Sequence, residues 1–172
     1  MFAVWNVLQR IGVKYSSITQ PSGSSDTIMS QHVRFLDEAY SNSQANCVDG
    51  TVLFASVLYK LGIWPVLILR PGHMFLGFYP DESSYQRHQN LACLETTLIG
   101  NPGLNSVQRG WKYLTGDGWM SSESYRQFAN ACSYASQEFN SIAANLSAHT
   151  PGYHVIDIRA ARKKGISAIP RF

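Results

Sequence analysis

Charge is scarce in this sequence. Asp, Glu, Lys and Arg make up 15% of its 172 residues, against roughly 25% in an average soluble protein. They form no long run of one sign. The densest basic group, Arg159, Arg162, Lys163 and Lys164, sits beside Asp157, and the net charge is only +3. A disordered polyelectrolyte is excluded, and nothing in the charge pattern implies a nucleic acid partner. Cysteine is scarce too. Cys47, Cys93 and Cys132 are too few and too dispersed for a disulfide scaffold, and no CxxC pair suggests zinc. No stretch approaches the roughly 18–20 apolar residues of a membrane-spanning helix. The opening MFAVWNVLQR lacks the basic n-region and small-residue cleavage site of a signal peptide. It reaches Trp5 and Leu8 almost at once, as a domain cut from a longer chain would, so further domains of a parent chain are expected partners.

What the sequence does hold is apolar material: 45% hydrophobic residues, with 8 Phe, 9 Tyr and 4 Trp. That is enough for one core at this length, and no point in the chain reads as a linker, so residues 1–172 are expected to form a single domain. FAVWNVLQRIGV predicts a short helix with Trp5, Leu8 and Ile11 on one side, closing near Gly12. After a Ser/Gly/Pro-rich loop, TIMSQHVRFLDEAY places Met29, Val33, Leu36 and Tyr40 at helical spacing.

The polar turn SNSQAN then delivers the chain to Cys47. VDGTVLFASVLYKL, from Val48 to Leu61, is apolar on nearly all sides and predicts a helix buried in the middle of the domain, stopped at Gly62. The period then changes. WPVLILR, HMFLGFY and LACLETT read as three short strands, the first two joined by a Pro71–Gly72 turn. A loop with Trp111 and Trp119 leads to a long helix from about Ser122 to Leu146, and PGYHVIDI and AARKKG close the chain as strand and helical turn. A buried helix followed by strands gives an α+β fold with a small antiparallel sheet.

Cys47 stands where a helix begins. There the helix dipole and unpaired N–H groups favour an anion, so a thiol can become a thiolate and the same N–H groups can hold an oxyanion. His73 opens a strand just after a tight turn. With period 2, His73 and Phe75 share one face and Cys93 and Glu95 share a face of the next strand. A hairpin centred on Ser84 sets His73 directly opposite Glu95, about 4.5–5.5 Å apart at Cβ. A carboxylate there would orient the imidazole and stabilise its charged form, which is what a nucleophilic cysteine requires of its base. Asp81, in the PDE loop, is the competitor for that third role. Asp49 reads as a first-turn helix acid, Cys132 as core, and His154 as a packed or rim histidine.

These residues together resemble the transglutaminase-like superfamily, a branch of the papain-like cysteine folds. NCVDGTVLFASVLYKLGIWPVLI is similar to that family's nucleophile, helix and following strand. PGHMFLGFY is similar to its histidine strand. LETT is similar to its Asp-Pro-Thr segment, with Glu95 in the aspartate's place. The resemblance spans Asn46 to Thr97. It implies a central helix carrying a nucleophilic cysteine on a small antiparallel sheet, with Cys47, His73 and Glu95 as the triad. The longer acid must then be absorbed by the strand register. No tryptophan just precedes Cys47 to assist an oxyanion hole; Gln31 and Gln44 are the alternatives, with Gln31 preferred. Asn46 and Cys93 are expected to line the site.

The activity expected is acyl transfer on an amide or peptide bond through a thioester, more often to water than to an amine, with a protein, a peptide or a small amide as substrate. No cofactor or metal is implied. Two rivals stand beside it: a non-catalytic binding module retaining the fold, and a Cys/His/Glu metal site.

Overall fold

The computed structural model of the protein describes residues 1–16, 33, 44–100 and 117–167. Apart from Val33, the helix expected over 27–40, Gln31 with it, and the loop containing Trp111 lie outside these residues.

Helix α1 (Phe2–Arg10) buries Phe2, Trp5 and Leu8, as its spacing requires. It also buries Asn6 and Gln9, whose side-chain oxygens face the Ser124 hydroxyl at 3.0 and 2.6 Å. Two very short strands follow, β1 (Lys14–Tyr15) and β2 (Gln44–Ala45), paired in parallel. Two residues are too few to show any alternation, so the sequence carries no sign of them.

Helix α2 (Cys47–Lys60) starts at a reciprocal cap. The Asn46 side chain accepts from Val48 N–H and Asp49 N–H, both at 2.9 Å, and Asp49 Oδ2 accepts from Asn46 N–H at 3.1 Å. This is the two-way satisfaction of orphan donors that fixes a helix start. Leu53, Phe54, Ala55 and Leu58 are buried, whereas Ser56, Tyr59 and Lys60 are exposed. The helix is thus covered on fewer sides than its composition suggests. Ser56, Tyr59 and Lys60 recur at helical spacing and form an outward stripe along its second half. Gly62, at φ +75°, turns the chain out of the helix.

Strands β3 (Trp64–Arg70) and β4 (His73–Tyr79) form a hairpin across Pro71–Gly72, with Arg70 opposite His73. The segment expected to be a plain polar loop holds a short helix, α3 (Glu82–Arg87), capped by Asp81 through Ser84 N–H at 2.8 Å. Strand β5 (Ala92–Leu94) is three residues long and pairs antiparallel with β4. A 3-10 turn (Thr96–Leu98) ends this stretch. A second 3-10 turn (Asp117–Ser121) leads through the Ser122 cap into α4 (Glu123–Ser147). Strand β6 (His154–Asp157) and helix α5 (Ile158–Lys163) close the described chain.

The four longer strands make one antiparallel sheet in the order β5-β4-β3-β6, so the architecture is α+β with a small antiparallel sheet. Alternation along the strands divides the core. Leu76 and Leu94 face α2 and pack with Phe54, Leu58, Trp5 and Ala131. Val66, Ile68, Phe75, Tyr79 and Cys93 face the other way and pack with Ala135 and Ile142 of α4. The sheet therefore lies between α2 and the C-terminal half of α4, whose first half joins the core on the α2 side. No helix among the described residues is long and apolar enough to cross a membrane.

Candidate active site

The shortness of β5 shapes the site. Its ladder with β4 runs from Phe78↔Ala92 to Leu76↔Leu94 and stops. Continued by one step, Glu95 would stand opposite Phe75 and diagonal to His73. The direct opposition expected from a symmetric hairpin is therefore corrected by two positions. The helix α3 and the left-handed residues His88 (φ 51°) and Asn90 (φ 56°) make the connection asymmetric. A shift of two keeps every side chain on its expected face, because the strand period is two. Glu95 itself is past the end of the strand. Its N–H donates to Ala131 O of α4 at 3.2 Å, and its side chain caps the 3-10 turn.

From this position Glu95 Oε2 lies 2.7 Å from His73 Nε2. The Glu95 side chain is 2% exposed and that of His73 16%, so the pair is sheltered yet the ring retains an open edge. Glu95 Oε1 accepts from Thr97 N–H at 3.0 Å and from Thr97 Oγ1 at 2.7 Å. The diagonal reach is the span that the extra methylene of glutamate covers.

Beyond Leu94 the edge of β4 is open, and the first turn of α2 docks there. Thr51 Oγ1 lies 3.3 Å from Met74 O, 2.7 Å from Cys47 O and 3.2 Å from Thr96 Oγ1. One buried hydroxyl thus joins the start of α2, the start of β4 and the turn next to Glu95. Gly50 permits this approach, since a Cβ there would stand 2.9 Å from Thr96 Oγ1. Gly50→Ala is expected to push that turn, and Glu95 with it, away from His73. Overpacking of about 1–3 kcal/mol is partly offset by about 1 kcal/mol of helix propensity, so the thermal midpoint should fall little. The thiol titration described below should nonetheless move up. An unmoved titration in a variant of native stability would show that Thr96 simply rotates aside.

Cys47 occupies the first position of α2, where its own N–H has no carbonyl partner within the helix. Its sulfur is half-buried and lies within electrostatic reach of the His73 side chain. The His73 side chain holds the thiol below its ordinary value against the opposing effect of burial, helped by the N–H groups of Met74 and Val48. His73 is raised to about 9, first by its interaction with Cys47 and then by its bond to Glu95. Burial pushes the Glu95 carboxyl up, but the bonds from His73 and Thr97 bring it below the ordinary value. All three shifts favour the charged forms. The arrangement favours a thiolate beside an imidazolium that is paired with a carboxylate. Since Nε2 faces Glu95, Nδ1 is the ring nitrogen left for the sulfur.

The structure brings Cys47, His73 and Glu95 together. It does not bring Asn46 or Cys93 into the site. The Asn46 side chain is 4% exposed and spent on capping α2. Cys93, 2% exposed, lies opposite Gly77 in the core facing α4, where burial pushes its thiol up to about 12. Asp81 holds Ser84 through its N–H and hydroxyl, at 2.8 and 2.9 Å. His154 is exposed on the edge strand rather than packed. Gln31 lies outside the described residues, and Gln44 belongs to β2, just before Cys47. Among the described residues no group of three or more His, Cys, Asp or Glu is placed to hold a metal ion.

Sequence reasoning missed Thr51, Thr96 and Thr97. A carboxylate followed two residues later by threonine is a local capping signature, so Thr97 was findable. Thr51, one helical turn from Cys47, had no such sign. The chain matches no protein-family model, no curated protein and no solved structure.

Proposed function

We propose that the protein is a cysteine-dependent acyl-transfer enzyme with a transglutaminase-like arrangement, acting on an amide or peptide bond. The observation that carries this is the alignment of Cys47, His73 and Glu95. A thiol at the first residue of a capped helix interacts electrostatically with an imidazole whose Nε2 is 2.7 Å from a buried carboxylate.

Cys47 Sγ attacks the carbonyl carbon and forms the C–S bond. The developing oxyanion is met by the Cys47 N–H at the positive end of α2. As the C–N bond breaks, His73 Nδ1 gives its proton to the leaving amine, and a thioester remains. Water then attacks, His73 Nδ1 takes its proton, and the thiolate leaves as the acid is released. An amine in place of water would give transamidation; hydrolysis is the simpler outcome and is the one proposed. Glu95 keeps the ring in the tautomer and orientation that both steps use.

The sign of the pH dependence follows from the shifts. Cys47 is lowered, so the thiolate is present below the ordinary thiol value, and His73 loses its proton only near 9. Alkylation of Cys47 by iodoacetamide should therefore rise through a single midpoint below that of an ordinary thiol, whereas turnover should fall again as pH passes about 9. Mass spectrometry of the labelled peptide across pH, with His73→Ala beside it, checks this. A midpoint near the ordinary ~8.5 of a free thiol, unmoved in His73→Ala, would overturn the proposal and favour a binding module that retains the fold.

A further inference from the structure

Glu95 presents a problem of aim. Its carboxylate reaches His73 along a diagonal, through a side chain with three rotatable bonds, from a residue that has already left the ladder. Such a side chain spreads over many rotamers unless something fixes it. One oxygen is committed to His73, so orientation must come through the other. Oε1 is held twice by the same residue, at 3.0 Å from Thr97 N–H and at 2.7 Å from Thr97 Oγ1. The N–H bond is available to any residue that closes the turn. The hydroxyl bond requires threonine or serine, and because a carboxylate only accepts, the hydroxyl must donate. A charge-assisted bond of this length, next to a side chain that is 2% exposed, is shielded from water that could replace it.

We propose that Thr97 is the positioning residue of the site, its hydroxyl fixing the Glu95 carboxylate so that the other oxygen stays aimed at His73 Nε2. This rests on the reading of Cys47, His73 and Glu95 as a working triad. Thr97 does not touch the sulfur or a substrate; its influence passes through Glu95 to His73 and on to Cys47. The donor also helps keep the carboxylate ionised. Without it, the imidazolium should lose part of its stabilisation and the thiolate part of its counter-charge.

The test uses the whole chain and two readouts: titration of the His73 ring protons by NMR, and the pH dependence of Cys47 alkylation. Thr97→Val preserves shape and removes the hydroxyl. It should lower the His73 midpoint by about one pH unit and slow alkylation near neutral pH about tenfold, a decade being one unit of proton affinity. Thr97→Ser should restore both to within about twofold. Thr97→Ala serves in place of valine if that variant does not fold.

An unmoved His73 titration in the hydroxyl-free variant would overturn the role. So would a serine variant as impaired as valine, since the loss would then lie in methyl packing. His73→Ala separates this from failure of the triad itself. If His73→Ala shifts Cys47 reactivity while Thr97→Val does not, the positioning role alone is overturned. If His73→Ala leaves Cys47 reactivity unchanged, the triad reading falls and this proposal with it.

Discussion

Glu95→Gln is expected to keep the fold and to slow Cys47 alkylation near neutral pH by at least about tenfold. Turnover of an amide substrate should drop by up to about 10⁴, the loss seen when an amide replaces the orienting carboxylate of a serine-protease triad. The reason lies in which atoms already have partners. Both donors of Thr97 point at Oε1, so a glutamine here would place its carbonyl oxygen toward Thr97 and its NH₂ toward His73. The NH₂ group donates, and His73 Nε2 would have to accept. The ring would then be neutral with its proton on Nδ1, facing the sulfur. In that tautomer it cannot take a proton from Cys47, and the thiolate loses its counter-charge. Alkylation profiles of the two proteins, with far-UV circular dichroism as the check on folding, test this. Equal reactivity would show that the carboxylate serves only the 3-10 turn.

Phe54→Ala is expected to destabilise the protein by about 3–5 kcal/mol, the range for deleting a buried aromatic. Phe54 is 1% exposed, lies 6.2 Å from Trp5 between ring centroids, and belongs to the core between α1, α2 and the sheet. The cavity would sit two helical turns from Cys47, and neighbouring elements are too closely packed to refill it. Tyr59, on the outward stripe of the same helix and 37% exposed, is the internal control, and Tyr59→Ala should cost less than about 1 kcal/mol. Urea unfolding midpoints give both numbers. A loss below about 1 kcal/mol in Phe54→Ala would mean that α2 does not carry this part of the core.

The elements that came through from the sequence are those with a long pattern or a strong stop. The polar turn before Cys47 and the stop at Gly62 bracket α2. The Pro71–Gly72 turn sets the hairpin register, and the apolar stripe of α4 extends over 25 residues. Cys47 and His73 were legible for the same reason, as each stands at the first residue of a well-marked element. Short pieces were not. β1 and β2 have no period to detect, and α3 hides in a polar segment because six residues held by an Asp81 cap need no apolar face.

The β4–β5 register shows where local reasoning ends. Period 2 fixed the faces of His73 in β4 and Cys93 in β5, since alternation is a property of the strand itself. Which residues stand opposite depends on how the 80–91 connection folds and where Leu94 leaves the ladder, and the packing of α4 and the first turn of α2 decides both. The same holds for Cys93 and Asn46. Sequence spacing put them near Glu95 and Cys47, but only the fold determined that one thiol turns into the core and one amide is consumed by its helix. The sequence by itself determined the kinds of groups available and the faces they occupy. Tertiary packing alone decided that the imidazole and the carboxylate meet at 2.7 Å with the thiol beside them, because such contacts join residues from three separate elements and no local preference encodes them.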